Sequence, residues 1–187
     1  MAVQSNLKNM AVCLTAVCLI CSALLGGVYA LTAKPIEKAT ADALKASVSR
    51  VLPEGGEISG PIDVEVGGQA SEYYISSRGD EVLAYAVKST TVGFGGPLVL
   101  MVGITADGQV CSTSVLSHNE TPGLGAKCTS DEGFFGQFSG LDPSAKSLSV
   151  TKDGGDIDAI TASTITSRAY TLAVKNAVEA INKIKGE

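Results

Sequence analysis

The chain has 187 residues, 45% of them hydrophobic and 18% charged, with a net charge of −5. That length suits one ordinary domain. An acidic balance excludes the basic face that nucleic acid would require, and a single histidine excludes a His-rich metal site.

The hydrophobic excess lies near the N-terminus. After a tail over residues 1–9, the run Met10 to Leu31 reads MAVCLTAVCLICSALLGGVYAL, with no charge. At about 1.5 Å per residue it can cross a hydrocarbon core of about 30 Å. Val28-Tyr29-Ala30 has the form of a signal-peptide cleavage site. The run exceeds the roughly 7–15 apolar residues of a signal core, which favours a retained transmembrane helix over residues 10–31. Cys13, Cys18 and Cys21 fall in this span and serve as small apolar residues. Cys111 and Cys128 lie beyond it, where a disulfide and two separate buried thiols both stay open. Only Lys8 precedes the span, whereas Lys34, Lys38, Lys45 and Arg50 follow it. A positive-inside count therefore points the C-terminal part towards the cytoplasm.

Pro35 opens a helical pattern, and a helical stalk is expected over residues 32–53, stopped by Pro53-Glu54-Gly55-Gly56. The middle reads as β structure. Val64-Glu65-Val66, Tyr73-Tyr74-Ile75 and Val82 to Val87 are short β-branched and aromatic runs between glycine-containing turns. Pro97 to Thr105 and Gln109 to Leu116 flank Ala106-Asp107-Gly108, a hairpin signal. A loop follows from His118 to Lys127, then a hydrophobic plug at Phe134 to Phe138 and one more expected strand at Ser147 to Val150. Tyr170, Val174, Ala177, Ile181 and Ile184 recur at helical spacing to the end. The reading is α+β: one membrane helix, then a single domain over residues 54–187 with an antiparallel-rich sheet and terminal helices.

Three stretches could carry chemistry. Gly93-Phe94-Gly95-Gly96 precedes a strand rather than a helix, so a tight turn is favoured over a phosphate loop. In Glu120-Thr121-Pro122-Gly123-Leu124-Gly125, proline fixes one φ and two glycines permit close backbone approach. His118, just before it, reads as a loop hydrogen-bond partner rather than a proton relay. Finally, Asp158 is followed at steps of three by Thr161 and Thr164, where the last helix begins. A helix N-terminus favours a phosphate, and Thr166, Ser167 and Arg168 could add donors and charge. On chemistry alone, Thr161 or Thr164 reads as a simple N-cap.

Taken together, SHNETPGLGAK, DAITASTITSRA and GFGGPLVLMVGITADGQV resemble the FMN-binding domain. That domain is shared by the G subunit of Rnf-type ion-translocating oxidoreductases and the C subunit of the sodium-pumping NADH:quinone reductase. The resemblance covers about residues 80–180 plus the membrane helix, and chain length favours the G type. It implies FMN held as a phosphodiester on the last threonine of the motif, here Thr164, and installed from FAD by a magnesium-dependent flavin transferase. It implies Glu120, Thr121, Leu124 and Gly125 near the flavin ring, and Thr161, Thr166 and Ser167 near the phosphate, with Asp158 and Ser163 in the same motif. The family usually has Gly-Ala where this chain has Ala162-Ser163, which bears on the efficiency of attachment. The resemblance further implies other subunits of a membrane redox complex as partners, coupling to Na+ or H+, and an extracytoplasmic domain, against the charge count. Two alternatives remain: a stand-alone anchored flavoprotein, and a flavin-free anchored binding domain.

Overall fold

The computed structural model describes residues 6–186. Of the tail expected over residues 1–9, residues 1–5 lie outside the described residues. Helix α1 runs from Leu7 to Val51 without interruption, so the expected span and stalk form one helix. Its 45 residues extend about 68 Å at about 1.5 Å each, more than a bilayer core. Pro35 sits inside it, where the missing N–H costs one intrahelical bond. The chain divides into two units, residues up to Ala43 and residues from Leu44 onward. The first unit is helix from Leu7 onward, and α1 is long and apolar enough to cross a membrane.

The second unit begins with the last two turns of α1 and continues as a meander of five antiparallel strands. These are β1 (Glu57–Val66), β2 (Gln69–Arg78), β3 (Glu81–Val92), β4 (Pro97–Thr105) and β5 (Val110–His118), ordered as in the sequence. A short helix α2 (Glu132–Phe135) and 3-10 turns follow, then the 22-residue helix α3 (Thr164–Lys185). The fold is α+β as expected. Ser147 to Val150 does not form the expected strand. Val150 instead makes one isolated parallel bridge to Ile157, across a turn that contains Gly154 and Gly155.

Alternation along β3 and β4 assigns the two faces of the sheet. Val87, Leu98, Leu100, Val102 and Ile104 point to one side and pack against Tyr170, Ala173, Val174, Ala177 and Ile181 of α3. The alanines keep that helix close to the strands. Phe134 and Phe138, the expected plug, close the same core in edge contact, with Tyr170 beside both rings. On the opposite face Ala84, Ala86 and Met101 receive Val48, Val51 and Leu52 from the end of α1. Gly103 belongs to this second face, and a Cβ there would collide with the Val51 carbonyl. Cys111 and Cys128 are both free thiols, and they belong to the clusters on opposite faces. This favours the reading of two separate thiols. Gly186, at φ 82°, terminates α3 by donating its N–H to the carbonyls of Asn182 and Lys183.

Candidate functional site

Three loops meet at the N-terminus of α3. The first is the turn between β3 and β4, closed by the Gly93 N–H donating to the Gly96 carbonyl at 2.8 Å. It is the tight turn expected, and it also carries Phe94, 69% exposed at its tip. The second is the loop after β5. Here the Glu120 N–H donates to His118 Nδ1 at 3.2 Å, so the histidine is spent on the loop itself. Further along, the Thr121 carbonyl accepts from the Leu124 and Ala126 amides, both at 3.2 Å. Gly123 takes φ 76° to close that turn.

Glu120 joins all three loops. Its carboxylate is 5% exposed and accepts from Thr166 Oγ1 at 2.7 Å and from the Gly95 N–H at 3.3 Å. A buried carboxylate needs such donors, since an unpaired one is costly to desolvate. Gly125 lets the loop approach: a Cβ there would lie 2.5 Å from Glu120 Oε2 and 2.6 Å from Thr166 Oγ1. The thiol of Cys128 lies just behind. Burial, and secondarily the Glu120 charge, push it up to about 11. Burial likewise pushes the Tyr170 hydroxyl up to about 12, against the opposing effect of its hydrogen bond with Thr113.

The third loop is the opening turn of α3 and its lead-in. Gln137 clamps Asp158 through the backbone, donating Nε2–H to the Asp158 carbonyl at 3.1 Å and accepting its N–H at 2.8 Å. Ser167, wholly buried, accepts from the Ile160 N–H and donates to the Ser163 carbonyl, each at 3.0 Å. The N-cap is therefore Ser163 rather than Thr161 or Thr164, and Thr164 is the first helical residue. Ser163 caps only through its backbone: its Oγ is buried with no hydrogen-bond partner. Among the described residues the amides of Thr164, Ile165 and Thr166 also have no hydrogen-bond acceptor. Ala162, at φ 61°, is the one described non-glycine residue in the left-handed region.

These loops enclose a cavity of about 330 Å³. Its lining joins Phe94, Glu120, Thr121, Leu124 and Gly125 to the run from Ala162 to Thr166. Seven of the ten residues singled out from the sequence thus share one cavity: Glu120, Thr121, Leu124, Gly125, Ser163, Thr164 and Thr166. Asp158 and Thr161 are exposed and do not line it, and Ser167 braces the loop from beneath. Phe94 and Lys152 were not among the ten. Lys152 donates from Nζ to Thr164 Oγ1 at 3.1 Å, the one side-chain bond that this hydroxyl makes among the described residues.

The donor set fits a ligand with a flat apolar body and an anionic end. Phe94, Leu124 and Ile165 offer half-exposed or more exposed apolar surface. Three open helix amides, an unpartnered buried Ser163 hydroxyl and the Lys152 ammonium supply donors for the anion. A family model of the FMN-binding domain matches residues 93–179, the segment that builds this cavity. Relatives extend the match to nearly the whole chain. The G subunit of the proton-translocating ferredoxin:NAD(+) oxidoreductase complex of Clostridium ljungdahlii is 36% identical, over 92% of this chain and 90% of that protein. The Na(+)-translocating counterpart of Acetobacterium woodii is 33% identical over 80% and 79%.

The chain belongs to the FMN-binding-domain family, among the G subunits of ion-translocating oxidoreductase complexes.

A further relative is the G subunit of the ion-translocating oxidoreductase complex of Methanosarcina acetivorans, 31% identical over the full length of both chains. The fold of this G-subunit family member also matches a solved structure. The C subunit of the Na(+)-translocating NADH-quinone reductase from Parabacteroides distasonis superposes with a TM-score of 0.51 at 23% identity, over 63% of this chain and 64% of that one. That likeness bears on the fold alone.

Proposed function

We propose that this chain is a membrane-anchored flavoprotein that carries FMN as a phosphodiester on Thr164. It relays electrons within an ion-translocating ferredoxin:NAD+ oxidoreductase complex. Family membership supports the FMN and the complex. One observation supports the attachment point: Thr164, half-buried at the first turn of α3, lines the cavity that the β5–α2 loop and the turn carrying Phe94 complete.

Each element of the cavity has work to do under this reading. The open amides and the positive end of the α3 dipole stabilise the remaining charge of a phosphodiester. Ser163 Oγ donates to the same group, which resolves its burial without a partner. Thr166 is occupied by Glu120 and so fixes the loop that faces the ring. Bound FMN supplies one- and two-electron chemistry, and the protein supplies position and exclusion of water. A covalent link keeps the cofactor in place through every redox state.

The domain is assigned to the extracytoplasmic face on the strength of the family resemblance, behind α1 as a single bilayer span. The partners are the other subunits of the complex and a flavin transferase. Relatives named for protons and for sodium leave the coupling ion open. The test is co-expression of the full chain with a flavin transferase, followed by denaturing electrophoresis. A fluorescent band in the wild type that is absent from Thr164→Ala supports the reading. A dark wild type favours a flavin-free anchored domain, and a fluorescent Thr164→Ala places the flavin elsewhere.

A further inference from the structure

Lys152 stands twelve residues before Thr164, yet its ammonium reaches the Thr164 hydroxyl oxygen at 3.1 Å. The route is built into the chain. Val150 bridges to Ile157, the Thr151 N–H donates to the Ile157 carbonyl at 2.8 Å, and Gly154 takes φ 82° to close the turn between them. Gly155 must be glycine to fit, because a Cβ would strike the Ser149 carbonyl. Asp153, the neighbour of Lys152, is held by Arg168 of α3 through two bonds of 2.6 Å. That fork fastens the turn to the first turns of the helix and neutralises the Arg168 charge. Lys152 has no carboxylate within ion-pair distance among the described residues. It is the uncompensated cation of the site, aimed at the one oxygen proposed to react.

We infer that Lys152 is a positioning residue for flavin attachment: its charge orients Thr164 Oγ1 and favours the loss of the hydroxyl proton. The inference rests on the reading of Thr164 as the attachment point. In the transfer, Thr164 Oγ1 bonds to the flavin-side phosphorus of FAD as the bond from that phosphorus to the bridging pyrophosphate oxygen breaks. AMP leaves, and the hydroxyl proton passes to a base on the transferase. No electrons are gained or lost. An ammonium at hydrogen-bond distance opposes the negative charge that grows on Oγ1 during attack, alongside the open amides of α3. Once the ester has formed, the same charge balances the phosphodiester. The Asp153–Arg168 fork sets where that charge stands.

The test uses full-length protein purified in detergent, a flavin transferase, FAD and magnesium, with intact mass followed in time. The set is wild type, Thr164→Ala, Lys152→Ala, Lys152→Gln and Lys152→Arg. The expectation is that transfer falls about tenfold in Lys152→Ala, equivalent to about 1.4 kcal/mol of barrier. Lys152→Gln, which keeps a donor but no charge, is expected to be equally slow, and Lys152→Arg to recover most of the rate. Melting temperatures should stay together, because Lys152 is exposed. In protein driven to full loading, the phosphorus resonance of the phosphodiester should move in Lys152→Ala and stay near the wild-type position in Lys152→Arg. Wild-type rates in Lys152→Ala, or in Lys152→Gln, overturn the role of the charge while leaving the attachment point intact. Modification of Thr164→Ala, or none of the wild type, removes the attachment point itself and the inference with it.

Discussion

Ala162 holds the most exposed strain in the site. It lies at φ 61°, immediately before the N-cap of α3, where the chain must turn to present Thr164. An L-residue in this region gives up about 1–2 kcal/mol to contact between Cβ and its own carbonyl. Glycine escapes that contact but loses about 0.5–1 kcal/mol more chain entropy on folding. The methyl is exposed, so its removal forfeits little burial. Ala162→Gly is therefore expected to stabilise the protein by about 0.5–1 kcal/mol. For the unit from Leu44 onward this corresponds to a rise of about 1–4 °C in Tm. Ala162→Val should act in the opposite sense, since a β-branched side chain tolerates positive φ least. The assay is thermal unfolding by circular dichroism of the full chain in one detergent, unmodified, with all three proteins side by side. Flavin attachment to Ala162→Gly should be no slower than to wild type. A glycine variant that melts at or below wild type, or a valine variant that matches it, would refute the strain argument.

Other perturbations follow from the packing. Thr166→Val removes the donor to buried Glu120 Oε2 and should cost about 2 kcal/mol in urea unfolding, whereas Thr166→Ser should retain most of the stability. Gly103→Ala drives a Cβ into the Val51 carbonyl and should displace the end of α1 from the sheet, read as faster hydrogen exchange over residues 44–52. The Cys128 thiol, at about 11 when folded against an ordinary 9.0, holds its proton in the native state while the unfolded chain loses it. Stability from this group is complete below pH 9 and declines as pH rises from 9 to 11. Cys128→Ala should flatten that part of the profile in denaturant titrations, leaving the decline above pH 10 that Tyr170, raised to about 12, contributes.

The central strands and α3 were legible because each buries one face, so alternation or helical spacing is written in their residues. β1 was visible only at Val64 to Val66, since its remaining positions are exposed and have no core to write a pattern for. Of the site, the loop at Glu120 and the Thr164 segment were legible through glycines, proline and hydroxyls in fixed order. The N-cap went to Ser163 because Ser167, one turn on, takes the lead-in backbone that a threonine cap would otherwise have organised. Lys152 gave no signal. A lone lysine in a Thr-Lys-Asp-Gly-Gly turn looks solvated, and only the Val150–Ile157 bridge and the Asp153–Arg168 fork carry it to Thr164. Phe94 was hidden for a related reason: an exposed aromatic in a glycine turn acquires a role only when two distant loops fold beside it.

The proposed covalent bond from Thr164 to the flavin phosphate carries the functional reading. Trypsin cleaves after Lys152 and Arg168, releasing residues 153–168, a peptide that contains Thr161, Ser163, Thr164, Thr166 and Ser167 together. Fragmentation of this peptide, from full-length protein matured with a flavin transferase, locates the modification among the five hydroxyls. The expected result is a mass increase of FMN less water, confined to fragments containing Thr164. An adduct on any of the other four, or an unmodified peptide from mature protein, would contradict the assignment.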